Sequence, residues 1–393
     1  MPSRSSSAAK ATATRDTVST DFAVIGLGAV GSATLYQLAK RGANVIGIDR
    51  YRPPHSYGSS HGAARVTRSA VGEGSAYVPL VSRSQEILRD LERAFGADLM
   101  ERAGTLIIGS DRPTSGEDFV EATVKIAQLH GIEHELVSSA ELQRRYPQLI
   151  GLTDTDYGYF EPKSGFLQPE PIVSLEISAA RQFGATVVTD CSVEHVSQEN
   201  GWVTIGMGDH QIKARHAVVA AGRWSGKLLG PPFDDLLKVT AQRTFSFTQE
   251  GSGRYQSENF PALMWFRSAL ADQCITAFPQ SRDGAVSFFV EGADTAAHVD
   301  DAARDFFERE VRPFFDGISP MMAGLDLCYY TTTPDGSFII DRHPDHDRLL
   351  VLSACSGHGF KHSLAVGELA AQLLLGKDTS IDAAPFSARR FHV

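Results

Sequence analysis

Gly26, Gly28 and Gly31 stand at G-x-G-x-x-G spacing, and Asp49 closes the apolar run that follows them. Gly26 permits a tight turn, Gly28 lets the backbone approach a pyrophosphate, and Gly31 lets a helix sit close to a strand. Phosphate oxygens then meet the unpaired N–H groups of a helix N-terminus, where the helix dipole favours anions. A carboxylate at Asp49 can accept from both hydroxyls of a ribose, which points to an unphosphorylated sugar. The chemistry is dinucleotide binding, and the motif leaves NAD and FAD both open.

Further polar groups cluster downstream. His61, Arg65 and Arg68 fall in the Gly- and Pro-rich stretch Arg50–Pro79, and a long irregular segment beside a nucleotide motif is more often functional than decorative. In the last third, Cys328 opens CYYTTTPD, and Gly357, His358, Gly359, Phe360 and Lys361 form the end of SGHGFK. A lysine at a helix start is poorly placed as a mere solvated cation. Cys355, Cys274 and Cys191 read as small buried apolar residues.

The elements that position these groups follow from periodicity. Phe22–Ile25 and Asn44–Ile48 read as strands flanking an amphipathic helix. Helices are expected at Val78–Ala97, Glu117–Gly131, Pro169–Phe183 and Asp300–Phe314, with a short one from Ser139. Strands are expected at Gly104–Gly109, Glu133–Val137, Gly184–Thr189, Trp202–Met207 with Gln211–Lys213, and Ala217–Ala221, the last ending in a turn at Gly222. Thr244–Phe247, Cys274–Phe278, Val286–Val290 and Leu349–Ser353 complete the set. The fold class is α/β (α+β): a Rossmann-like dinucleotide-binding domain over residues 21–75, 165–230 and 331–385, with an inserted antiparallel-sheet substrate domain over 76–164 and 231–330. Residues 1–20 read as a disordered tail, with a transit peptide as the alternative because the segment has basic residues and few acids.

Composition sets the outer bounds. A chain of 393 residues with 42% hydrophobic and 21% charged residues describes a globular protein of two domains. A net charge of −10 argues against a nucleic-acid surface. Four cysteines without C-x-x-C spacing indicate neither a disulfide framework nor a metal site. No run is long enough to cross a bilayer, and residues 1–20 lack the apolar core of a secretory signal. The expected compartment is the cytoplasm.

Taken together, GLGAVGSA, GSSHGAARVTR, GEGSAYVPL, CYYTTTPD, FIIDRHP and SGHGFK resemble the monomeric sarcosine oxidase and N-methyltryptophan oxidase family of flavoproteins, from Asp21 to about Gly376. The resemblance implies FAD rather than NAD, held covalently through Cys328 to the flavin 8α-methyl group. It implies that Arg68 and Lys361 clamp a substrate carboxylate, that His61 and Arg65 lie beside the isoalloxazine ring, and that Gly357–Phe360 turn at its carbonyl edge. Arg50, Ser60, Val193 and Gly222 complete the expected cofactor contacts. The implied reaction is flavin-dependent oxidation of a small-molecule secondary amine, an N-methyl or cyclic amino acid, to an imine, with O2 taking the electrons to give hydrogen peroxide. The implied assembly is a monomer or small homo-oligomer without nucleic-acid or membrane partners.

Three positions depart from the family pattern: Ser287 replaces a lysine credited with promoting the O2 reaction, Thr276 a tyrosine, and Glu291 a histidine. The expectation is a wider, more acidic pocket for a bulkier or more cationic amine, with either another cation serving O2 or another electron acceptor. Alternatives outside this reading are an NAD-dependent dehydrogenase and a flavin-dependent electron-transfer protein.

Overall fold

A computed structural model describes residues 17–110, 119–251, 253–266, 274–281, 283–292 and 298–392. Strand Thr17–Ile25 pairs in parallel with Val45–Ile48 on one side and with His210–Val219 on the other. Thr186–Val188 continues the sheet beyond Val45–Ile48, and His346–Ser353 joins in parallel beside His210–Val219. Trp202–Met207, His195–Glu199 and Ile339–His343 add antiparallel pairs, giving an eight-stranded sheet among the described residues.

Both faces of this sheet are covered, which is why its first strand is a continuous apolar run rather than an alternating one. Val24, Val218 and Leu350 point to one side, into a core shared with helices Ala29–Lys40, Pro169–Gln182 and Ser363–Leu374. Ala23, Ile25, Ile46, Ile48 and Val219 point to the other, against Val203 and Ile205.

The second large sheet runs in the order Ile318–Thr332, Lys238–Gln249, Val286–Val290, Cys274–Phe278, Ala262–Phe266, Thr105–Ser110, Asp156–Glu161 and Glu135–Ser138. Its pairs are antiparallel except for Ala262–Phe266 with Thr105–Ser110. One face carries Phe245, Phe247, Phe288, Ile275 and Trp265, packed on Phe306, Phe307 and Val311. The pleat sends the intervening residues to the opposite face. The register aligns Gln242 with Cys328 there, and Thr244 with Asp326 and Phe289; Thr276 lies opposite Phe289. A three-stranded sheet of Arg65–Thr67, Gly165–Leu167 and Met100–Glu101 lies apart from both.

Several expectations are corrected. The first strand begins at Thr17, inside the stretch read as a tail, because Thr17–Thr20 continue the ladder along Gln211–Ala214; residues 1–16 lie outside the described residues. The strands expected separately at Gln211–Lys213 and Ala217–Ala221 are one, His210–Val219. The segment Arg50–Pro79 contains the short strand Arg65–Thr67, and the unforeseen strand Ala262–Phe266 fills the middle of the second sheet. The helix expected to end at Phe314 is α-helical only over Val299–Phe306, followed by a π turn, Phe307–Val311. The helix expected at Glu117–Gly131 is described over Phe119–His130, and Glu117 falls outside the described residues.

Helix Val78–Phe95, expected in the substrate domain, buries Leu80, Val81, Ile87, Leu88 and Leu91 in the first core with Leu364 and Leu369. It ends at Gly96, whose φ of 63° is the left-handed conformation that closes a helix. We therefore group this helix with the nucleotide-binding unit. No described helix is long and apolar enough to cross a membrane.

One buried acid stands out in the first core. Glu176 accepts a hydrogen bond from Ser32 Oγ at 2.7 Å, and burial pushes its carboxyl up to about 8. Because the folded state holds this proton more tightly than the unfolded chain, stability falls as pH rises from about 4.5 to about 8, and the whole cost is present above that window. Glu176→Gln removes the titrating group, so the variant gains stability relative to wild type at pH 9 compared with pH 5. Urea unfolding at the two pH values measures the difference, and an equal offset at both would refute the assignment.

Candidate active site

The glycine motif folds as its spacing requires. Gly26 has φ of 89°, and a Cβ there would lie 2.6 Å from the Ala220 carbonyl oxygen. At Gly31 a Cβ would lie 1.7 Å from the Gly26 carbonyl oxygen, so only glycine lets helix Ala29–Lys40 start this close to the turn. Ser60 Oγ accepts the N–H of Ala29 at 2.9 Å, satisfying one first-turn donor. Asp49 accepts the Leu27 N–H at 2.7 Å and the Tyr51 N–H at 2.8 Å, and His55 Nε2 lies 3.3 Å from it. The carboxylate thus ties the turn to the end of the second strand.

This turn forms part of the wall of a cavity of about 710 Å³. Asp49, Arg50, Val193 and Gly222 line it, as do Ser60, Arg65, Cys328, Gly357, Gly359 and Phe360. Arg65 is anchored by three backbone carbonyls, those of Ala64, Ser59 and His61, at 2.7 to 3.0 Å. Cys328 is buried; burial raises its thiol pKa and Arg65 pulls it back. Cys191 and Cys355 also line the cavity, which corrects the reading of both as plain core residues; the Cys355 sulfur accepts the Thr331 N–H at 3.4 Å. All four cysteines are free thiols.

His61, Arg68, His358 and Lys361 are not on this wall. His61 is buried with Nε2 2.9 Å from the Leu327 carbonyl, and burial, then Arg65, lowers its pKa. Arg68 is 1% exposed, donates to Glu73 Oε2 at 2.8 Å and lies over the Phe119 ring. The other Glu73 oxygen accepts from Lys361 Nζ at 3.3 Å, and Lys361 also donates to the His358 carbonyl at 2.9 Å. The two expected clamp cations therefore meet on one carboxylate. Burial opposes ionisation of Glu73, but Arg68, Lys361 and His358 outweigh it and hold the acid well below its usual range. Burial brings Lys361 down to about 8, with Glu73 opposing the shift. His358 is lowered to about 4 by burial and Lys361.

The backbone beside Arg68 is held by Glu161, whose oxygens accept the N–H groups of Ser69 and Ala70 at 2.6 and 3.2 Å and the Tyr159 hydroxyl at 3.0 Å. Of the three departures, Ser287 Oγ bonds Ser246 Oγ at 2.8 Å, and Thr276 is partly buried beside Phe289 in register. Glu291 is exposed at the end of its strand, where the surrounding protein still raises its pKa. Four site residues escaped the sequence reading. Glu73 stood inside GEGSAYVPL, and Tyr330, on the cavity wall, inside CYYTTTPD. Glu161 and Arg223 carried no motif signal; the Arg223 guanidinium lies 3.9 Å from the Tyr329 ring centroid and 4.5 Å from that of Trp224.

Comparison with known proteins agrees with this geometry. The pattern of the family described as FAD dependent oxidoreductase matches residues 21–373. N-methyl-L-tryptophan oxidase of Yersinia pestis (strain Pestoides F) is 33% identical over 381 residues, covering 94% of this chain and 99% of the relative. Among solved structures, NikD, an unusual amino acid oxidase essential for nikkomycin biosynthesis, superposes with a TM-score of 0.79 at 20% identity over 94% of this chain and 97% of its own. L-proline dehydrogenase from P. horikoshii gives 0.77 at 19% identity over 95% and 98%. The residues present fit the family cofactor: the glycine turn leaves backbone room that any side chain would fill, and the cavity is large enough for a sizeable ligand. The chain belongs to the FAD-dependent oxidoreductase family.

Proposed function

We propose that this protein oxidises the secondary amine of an N-methyl or cyclic amino acid to an imine. The observation that carries the reading is the convergence of two buried cations, Arg68 and Lys361, on a single carboxylate. Lys361 directly follows Phe360 of the cavity wall, which supports reading the pair as the holder of a substrate carboxylate beside the cofactor site. The 33% identical relative is named for the same class of reaction. FAD, when bound, supplies the two-electron acceptor and can pass those electrons to O2.

The protein's own residues do the rest. Arg68 offers a planar fork and Lys361 a compact charge, which together orient a carboxylate. The substrate loses two electrons and two protons on becoming an imine, and water then hydrolyses it. Arg65, fixed by three carbonyls on the cavity wall, supplies positive charge near Cys328. His61 backs that wall, held to the Leu327 carbonyl beside Cys328. Asp49, Arg50, Ser60, Val193 and Gly222 would hold the nucleotide portion, and Gly357, Gly359 and Phe360 would border the ring. We assign Cys328 as the site of covalent flavin attachment, and the cytoplasm, where free thiols persist, as the compartment.

Two outcomes test this. Acid-precipitated wild-type protein stays yellow and its Cys328 peptide carries the flavin mass, whereas Cys328→Ser yields a colourless pellet; a colourless wild-type pellet would remove the tether. The second concerns pH. The free Lys361 ammonium loses its proton as pH rises through about 8, so affinity for N-methyl amino acids falls on the alkaline side, by roughly tenfold between pH 7 and pH 9.5. Anaerobic titrations followed by flavin absorbance give this profile, and Lys361→Met binds more weakly throughout without the alkaline step. A step that survives in Lys361→Met would assign the titration elsewhere.

A further inference from the structure

The face of the second sheet that bears Cys328 also bears, at its edge, a carboxylate that the amine reaction does not use. Strand Val286–Val290 places Ser287 and Phe289 on that face, and the alternation puts Glu291 next in line. The chain there is pinned close to Cys328: Gly292 N–H donates to Gln242 Oε1 at 3.1 Å, and Gln242 is the register partner of Cys328. Tyr330, on the cavity wall and against Gly357, feels the charge of Glu291 as well as that of Cys328.

Glu291 has no cationic partner among the described residues; though it is solvent-accessible, the protein around it partly desolvates the carboxyl and raises its pKa. The other acid on this stretch of the face is engaged: Asp326 lies 4.0 Å from His61 Nδ1 and packs on Gly62. The clamp of Arg68 and Lys361 already carries its own counter-ion in Glu73. Flanking the cavity wall, rather than lining it, are therefore the clamp cations, where Lys361 follows Phe360, and one unmatched anion near Tyr330. A ligand that satisfies both carries a carboxylate and, farther along, a positive charge.

We propose that Glu291 is a specificity-determining residue that selects N-alkyl amino acids with a cationic side chain. This rests on the amine-oxidation reading and narrows it to a substrate class. The carboxylate engages the clamp, the reacting nitrogen lies between, and the side-chain cation pairs with Glu291. Because Glu291 is exposed, a ligand reaches it without unfolding the strand, and its substitution leaves the buried packing in place.

The test uses two isosteric probes, N-methyl-L-norleucine and Nα-methyl-L-ornithine, whose side chains differ by a terminal methyl against a terminal ammonium. Anaerobic stopped-flow reduction of the holoenzyme gives the limiting rate over Kd for each. In wild type the cationic probe is favoured by about tenfold or more, the scale of one partly shielded ion pair. In Glu291→Gln the ratio collapses towards one, in Glu291→Asp it is largely restored, and in Glu291→Lys it inverts; using the ratio cancels any uniform loss. Reduction by both probes with no preference in wild type, or a preference unchanged in Glu291→Gln, overturns the assignment while leaving amine oxidation intact. Reduction by neither overturns both.

Discussion

The Asp49 carboxylate is the contact on which the cofactor half of the molecule depends. By accepting the Leu27 N–H it fixes the glycine turn against the end of the second strand, and by accepting the Tyr51 N–H it sets the direction in which the chain leaves that strand. The segment so directed carries Ser60 to the first turn of helix Ala29–Lys40 and Arg65 to the cavity wall. A buried carboxylate is tolerable here because its acceptor sites are filled by donors of fixed geometry. The interaction is local in space yet sets the course of the segment that follows.

The reactive half depends instead on register. Strand Ile318–Thr332 pairs along the length of Lys238–Gln249, and this pairing decides that Cys328 and Tyr330 face the cavity while Leu325 joins the aromatic core. A slip of one residue would exchange the two sets. Leu325 and Met322, packed against the core of Phe245, Phe247 and Phe288, make that slip costly because they would turn out of it. The side chains that carry chemistry are thus held by others that carry none.

The glycine motif was legible because backbone conformation and close approach dictate residue type at Gly26 and Gly31. The strands were legible where burial makes them apolar, and Thr17–Thr20 were missed because their pairing with Gln211–Ala214 rests on backbone hydrogen bonds that polar residues serve equally well. Arg68 and Lys361 came from motif resemblance. Glu73 did not, since its bond to Lys361 joins residues 288 positions apart and no local spacing encodes it. The helix Val78–Phe95 was assigned to the wrong neighbour for a related reason: an amphipathic stripe declares that it will be buried, and not against what.

The order of strands in the first sheet bears on how the molecule is made. Thr17–Ile25 is synthesised early, yet one of its two neighbours, His210–Val219, emerges only after more than half the chain, and His346–Ser353 later still. Domains assemble in the order their parts leave the ribosome. The nascent N-terminal third therefore holds a strand with one bare edge and an unfinished nucleotide pocket, a species in need of shelter from aggregation. The nucleotide pocket is in consequence complete only once the segments that carry Cys328 and the turn at Gly357 have closed its wall.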